Sequence, residues 1–73
     1  MERFVIQVSK KRKKGWVCTD TVNGLVCVFD DKNFNDTQEF TLLEDVVPDA
    51  NRLAQAVREM GDWLKENHYE KIF

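Results

Sequence analysis

Asn23-Gly24 constrains this chain more than any other pair of residues, because it lies between two β-rich runs, "GWVCTDTV" and "LVCVFD". An Asn-Gly pair in that setting is the strongest short-range hairpin signal, since a type I′ turn needs positive φ at both central positions. A two-residue turn would set Val22 opposite Leu25, Asp20 opposite Cys27 and Cys18 opposite Phe29. Trp16, Cys18, Val22, Leu25, Cys27 and Phe29 then share one face of a hairpin.

The run before it, "RFVIQVS", also alternates with strand periodicity. If Ser9 pairs with Gly15 across a five-residue loop, Val8 opposes Trp16 and Ile6 opposes Cys18. Phe4, Ile6 and Val8 then join the same face as the second hairpin. Two independent turns that agree on one core face are what a foldable sequence provides.

Further along, "DDKNFND" carries loop and turn chemistry, and "TQEFTLL" reads as a fourth strand with Phe40 and Leu42 inward. The strand pattern ends at "EDVVPDA". Pro48 suits the beginning of a helix, and Asp45 or Asp49 can cap it. Leu53, Ala56, Val57, Met60, Trp63 and Leu64 recur at helical spacing. His68 and Lys71 follow near the carboxyl end, where cations suit the helix dipole. Gly61 falls at the edge of this stripe, where close approach to the sheet would explain a residue that costs about 1 kcal/mol relative to alanine. The sequence thus predicts an α+β fold: an antiparallel β-meander of three to four strands with one carboxyl-terminal α-helix packed on one face. Residues 1–73 make one small domain.

A chain this short buries about 60% of its unfolded surface, which leaves little room for an enclosed substrate cavity. No cofactor and no small-molecule substrate are expected. Cys18 and Cys27 share the core face as diagonal neighbours, too far apart for a disulfide, and serve as small apolar core residues. Only His68 could join them at a metal, and a zinc site needs about four ligands. The acid pairs Asp30-Asp31 and Glu44-Asp45 sit in loops, without the cleft that catalytic carboxylates require. Gly15, Gly24 and Gly61 are isolated and form no phosphate-binding motif. An enzyme is not expected. No secretory signal is visible, no apolar run has the length of a membrane span, and the expected location is cytoplasmic.

Two features point to partners. The net charge of −2 conceals a strong asymmetry: residues 1–14 hold six cations against Glu2, and the remainder holds five cations against twelve acids. Lys10, Lys11, Arg12, Lys13 and Lys14 form the tip of the first hairpin. They read as a solvated loop, a contact for nucleic acid or another polyanion, or a contact for an acidic protein. The register points the Trp16 ring toward the helix, so its expected role is in the core.

The second feature is the sheet face that a single helix leaves open. It carries Val5, Val17, Thr19, Val26 and Val28, with Gln7, Thr21, Glu39 and Thr41 at its margin, and Val5, Thr19 and Val28 line up in one row. Contiguous apolar patches on small proteins often mark interfaces, and the acidic body favours a basic partner. The leading expectation is a small non-enzymatic interaction module, an adaptor or inhibitor, binding protein through its open sheet face or a sheet edge. Homodimerisation is the simplest version. The alternative is a nucleic-acid-binding module using the basic tip, for which the acidic remainder is unfavourable.

Overall fold

In a computed structural model, which describes residues 2–43 and 49–73, four antiparallel strands form one sheet in sequential order. They are β1 (Phe4–Val8), β2 (Gly15–Asp20), β3 (Leu25–Asp30) and β4 (Glu39–Leu42). One turn of helix, α1 (Phe34–Thr37), interrupts the path from β3 to β4. The long helix α2 (Ala50–Asn67) crosses one face, and a last turn, α3 (Tyr69–Ile72), ends the chain. This is the expected α+β meander with a carboxyl-terminal helix.

The first hairpin has the expected register: Val8 pairs with Trp16 and Ile6 with Cys18. The second differs by two residues. Asp20 pairs with Leu25, Cys18 with Cys27 and Trp16 with Phe29. The connection is therefore four residues long, not two, and only Gly24 in it has a positive φ, of 69°. Asp20 accounts for the difference. Its carboxylate accepts hydrogen bonds from the backbone N–H of Val22 and Asn23 at 3.0 and 3.1 Å, and from the Asn23 side chain at 2.9 Å. An aspartate that organises the chain two and three residues ahead replaces the tight turn with a longer one.

A shift of two preserves which face each side chain takes. Phe4, Cys18, Leu25, Cys27 and Phe29 are buried against Ala56, Met60 and Leu64 of α2. Ile6, Trp16, Phe40, Leu53, Val57 and Trp63 pack at the margin of this core. Val22 leaves the core face and is 65% exposed, and Leu42 is also exposed at the end of β4. Phe34 and Ile72 are buried instead. Phe34 meets Phe29 edge-on, with ring centroids 5.0 Å apart. Ile72 is held in place because the carbonyl of Lys71 accepts from the N–H of Lys32 at 2.7 Å.

Asp49 is the residue before α2, and its side chain accepts from Asn51 N. Asp45 and Pro48, proposed for the same start, lie outside the described residues, as does the Glu44-Asp45 pair. Gly61 does not mark a close approach: a Cβ built there would meet nothing within 4 Å.

Candidate functional site

With the helices on one face, the other face of the sheet is, among the described residues, left to its own side chains and the β1–β2 loop. The register arranges them in two rows. Val5, Thr19, Val26 and Thr41 form one, and Gln7, Val17, Val28 and Glu39 the other. Val26 therefore takes the place expected of Val28 beside Thr19, because of the two-residue shift at the turn. The five expected face residues remain contiguous, each half-buried by its neighbours.

The loop between β1 and β2 overhangs this floor. Ser9 is buried, and its hydroxyl accepts from the N–H of Lys11 and of Arg12, both at 3.3 Å. Ser9 also donates its own N–H to Gly15, and Asp31 donates to the carbonyl of Lys14. These bonds fold the loop so that Arg12 lies over Gly15. A Cβ at position 15 would come within 2.8 Å of the Arg12 Cβ, so only glycine leaves room for that crossing.

From there the Arg12 guanidinium reaches Asp30 at 2.9 Å and Glu39 at 3.1 Å. The hydrogen bond to Asp30 raises its pKa above the ordinary arginine value against the opposing effect of desolvation. Arg12 is thus a strap across the ends of β3 and β4, not a free cation. Lys10, Lys11, Lys13 and Lys14 are exposed, and none is in an ion pair among the described residues.

Between the loop and Val17, Val26 and Val28 lies a shallow concavity of about 680 Å³. Its floor is apolar and its overhang is cationic. Glu59, Asp62 and Glu66 belong to α2, on the opposite side of the sheet. Beside the open face, among the described residues, stand the cations of the lysine loop and the exposed carboxylate of Glu39, which Arg12 binds.

Trp16 lies on the helix side. Its indole N–H donates to Asp31 at 3.0 Å, and the Lys71 ammonium sits 5.1 Å from its ring. The ring is committed to packing, away from the tip.

The cysteines are directly opposed, not diagonal, and both thiols are free and buried. Burial pushes each thiol pKa up to about 12, with the neighbouring thiol adding to the effect on Cys18. Thiols held neutral in this way are poor nucleophiles. Their pair belongs to the hydrogen-bonded set of the ladder, as the bond from Asp31 to Lys14 shows by alternation, and side chains stand farther apart there than at the intervening pairs. His68 stacks on Trp63 with centroids 5.0 Å apart. Among the described residues no three His, Cys, Asp or Glu side chains are grouped to hold a metal ion, and no helix is long and apolar enough to cross a membrane.

One polar network was not foreseen from the sequence. Asp20 is fully buried on the core face and is bound by Arg3, which also binds Glu59 of α2 at 3.0 Å. The signal was available, since Asp20 has the same strand parity as Cys18 and Trp16, and a carboxylate on a core face demands a cation. No family model, curated protein or solved structure matches this chain.

Proposed function

We propose that the chain is a non-enzymatic protein-interaction module that receives its partner on the uncovered sheet face, through Val5, Val17, Thr19, Val26 and Val28. The observation that carries this reading is the contiguous valine and threonine floor, which no element of the chain covers among the described residues, bounded on one side by the lysine loop. Such a surface favours a partner segment with apolar side chains to place over Val17, Val26 and Val28. A carboxylate beside them would reach Lys10 or Lys11. Adaptor and inhibitor roles both follow from simple occupancy of this kind.

Capture from lysate, with nuclease added, tests the reading when wild type and Val28→Lys are compared. Position 28 lies in the floor between Val17 and Glu39, so a lysine there should interrupt the apolar surface and remove capture while the fold persists. Capture that survives the substitution removes the face from consideration.

A second reading, nucleic-acid contact, is favoured by the four exposed lysines at the tip. Capture abolished by nuclease and retained by Val28→Lys is its signature.

A further inference from the structure

Strand β1 is an outer strand of the sheet. Thr21 donates to the carbonyl of Arg3 at 2.8 Å, and Ser9 to that of Gly15 at 2.9 Å. Antiparallel ladders alternate, so Arg3, Val5, Gln7 and Ser9 direct their backbone groups toward β2. The N–H and C=O groups of Phe4, Ile6 and Val8 therefore point away from the sheet.

Native edges are usually blunted by charge, proline or a bulge. Within "FVIQV" there is no charge and no proline, and the register with β2 runs one to one without a bulge. Beside the edge, the carboxyl half of α2 leaves a cleft of about 620 Å³, lined on the helix side by Phe4, Ile6, Trp63, Asn67 and His68. Val8 points to that same side yet is 67% exposed. The charge along the edge also changes sign. Glu2 precedes the strand, the neighbouring Arg3 is engaged by Asp20 and Glu59, and Lys10 and Lys11 follow the strand.

These features fit one occupant, a second copy of this chain. We propose that β1 pairs antiparallel with β1 of a second copy about a two-fold axis at Ile6, which joins the two four-stranded sheets into one. Ile6 then exchanges both backbone bonds with its own counterpart, and Phe4 does so with Val8 of the second copy. The side chain of that Val8 enters the cleft beside Phe4 and Trp63. In the same register Glu2 faces Lys10 of the second copy, and the symmetry makes this contact twice. A parallel arrangement would set like charge against like charge at both ends. Both sets of helices fall on one side, and the two valine faces merge on the other. The proposal deepens the protein-binding reading, but it uses the edge and not the face, so Val28→Lys leaves the pairing intact.

Sedimentation equilibrium of the full chain up to about 1 mM, in about 50 mM salt, should show a dimer. Amide exchange should show Phe4, Ile6 and Val8 gaining protection as concentration rises. Glu2→Lys and Lys10→Glu should each weaken the dimer at least about tenfold, and the double variant should restore it. Both residues are exposed, so these changes leave folding alone. Val8→Pro should abolish pairing too, because it removes a donor that the monomer does not use. A monomer throughout, protection at Phe40 and Leu42 of β4 instead, or failure of the charge exchange to restore pairing would each overturn the proposal.

Discussion

Arg3 holds Asp20 with two hydrogen bonds, Nε to Oδ1 at 3.2 Å and Nη2 to Oδ2 at 2.9 Å, and the Asp20 side chain has no exposed surface. The same guanidinium binds Glu59 and lies 4.6 Å from the centre of the Phe4 ring. Asn23, which donates to Asp20, accepts in turn from Arg52 of α2 at 3.0 Å. One buried carboxylate thus organises a turn, the amino end of the sheet and two points on the helix. Removing one partner from a buried, hydrogen-bonded pair typically costs about 3–5 kcal/mol.

The pH dependence of Asp20 has a definite sign. Burial pushes its pKa up, but hydrogen bonds from Arg3, Asn23 and Val22 outweigh burial and hold it below the ordinary value. Its contribution is complete above the unfolded pKa, about 3.9, and is lost as pH falls through the lower folded value. Urea midpoints between about pH 5 and pH 2 should decline for wild type, and this component of the decline should be absent in Asp20→Asn. That variant should also be less stable than wild type at neutral pH.

The cysteines act at the opposite end of the scale. Both folded pKa values are raised to about 12, so the neutral thiols contribute stability fully below the unfolded value near 8.5. That contribution falls as pH rises through the interval up to about 12, by at most about 1.4 kcal/mol per pH unit for each thiol. Thermal melts from pH 8 to pH 11 should show it, and Cys18→Ala with Cys27→Ala should flatten the response. At neutral pH a thiol reagent should label neither cysteine until denaturant is added.

Gly61 occupies a helix interior with open space where a side chain would be. Gly61→Ala should therefore stabilise the domain by about 1 kcal/mol, read as a higher urea midpoint at unchanged slope. A lower midpoint would show that the position carries a constraint beyond helix propensity.

If the tip contacts nucleic acid, it does so with four lysines, because Arg12 is held by Asp30 and Glu39. The slope of log K against log salt should be about −3.6 on duplex DNA. Arg12→Ser should loosen the loop over the valine floor but change that slope little, whereas Lys11→Ser and Lys13→Ser together should halve it.

The strands, the shared face and the helix stripe were legible because periodicity is a property of many residues at once. Phe4, Ile6, Cys18, Cys27, Met60 and Leu64 all carry it. The register of the second hairpin was not, because it depends on one side chain, Asp20, folding back on Val22 and Asn23. Turn dipeptides report local φ preference and say nothing about a carboxylate that recruits the turn from outside it. Phe34 and Ile72 were missed for a related reason. Phe34 is a lone apolar residue among polar neighbours, Ile72 lies beyond the end of the helical stripe, and the burial of each is set by contacts distant in sequence. The valine face and the lysine tip were legible as composition. The strap formed by Arg12 was not, since nothing local distinguishes that cation from the four lysines around it.

The ring of Phe4 rests against Trp63, with centroids 5.3 Å apart. The first strand is thus finished by a residue that is synthesised long after it. At about 5–20 residues per second, the interval between the two is about 3–12 s. Hairpins close in microseconds, so the sheet can form early and then wait with Cys18, Cys27 and Phe29 uncovered. Until α2 docks, the core face of the sheet presents apolar side chains to its surroundings, so yield in cells should depend on how promptly α2 follows the sheet.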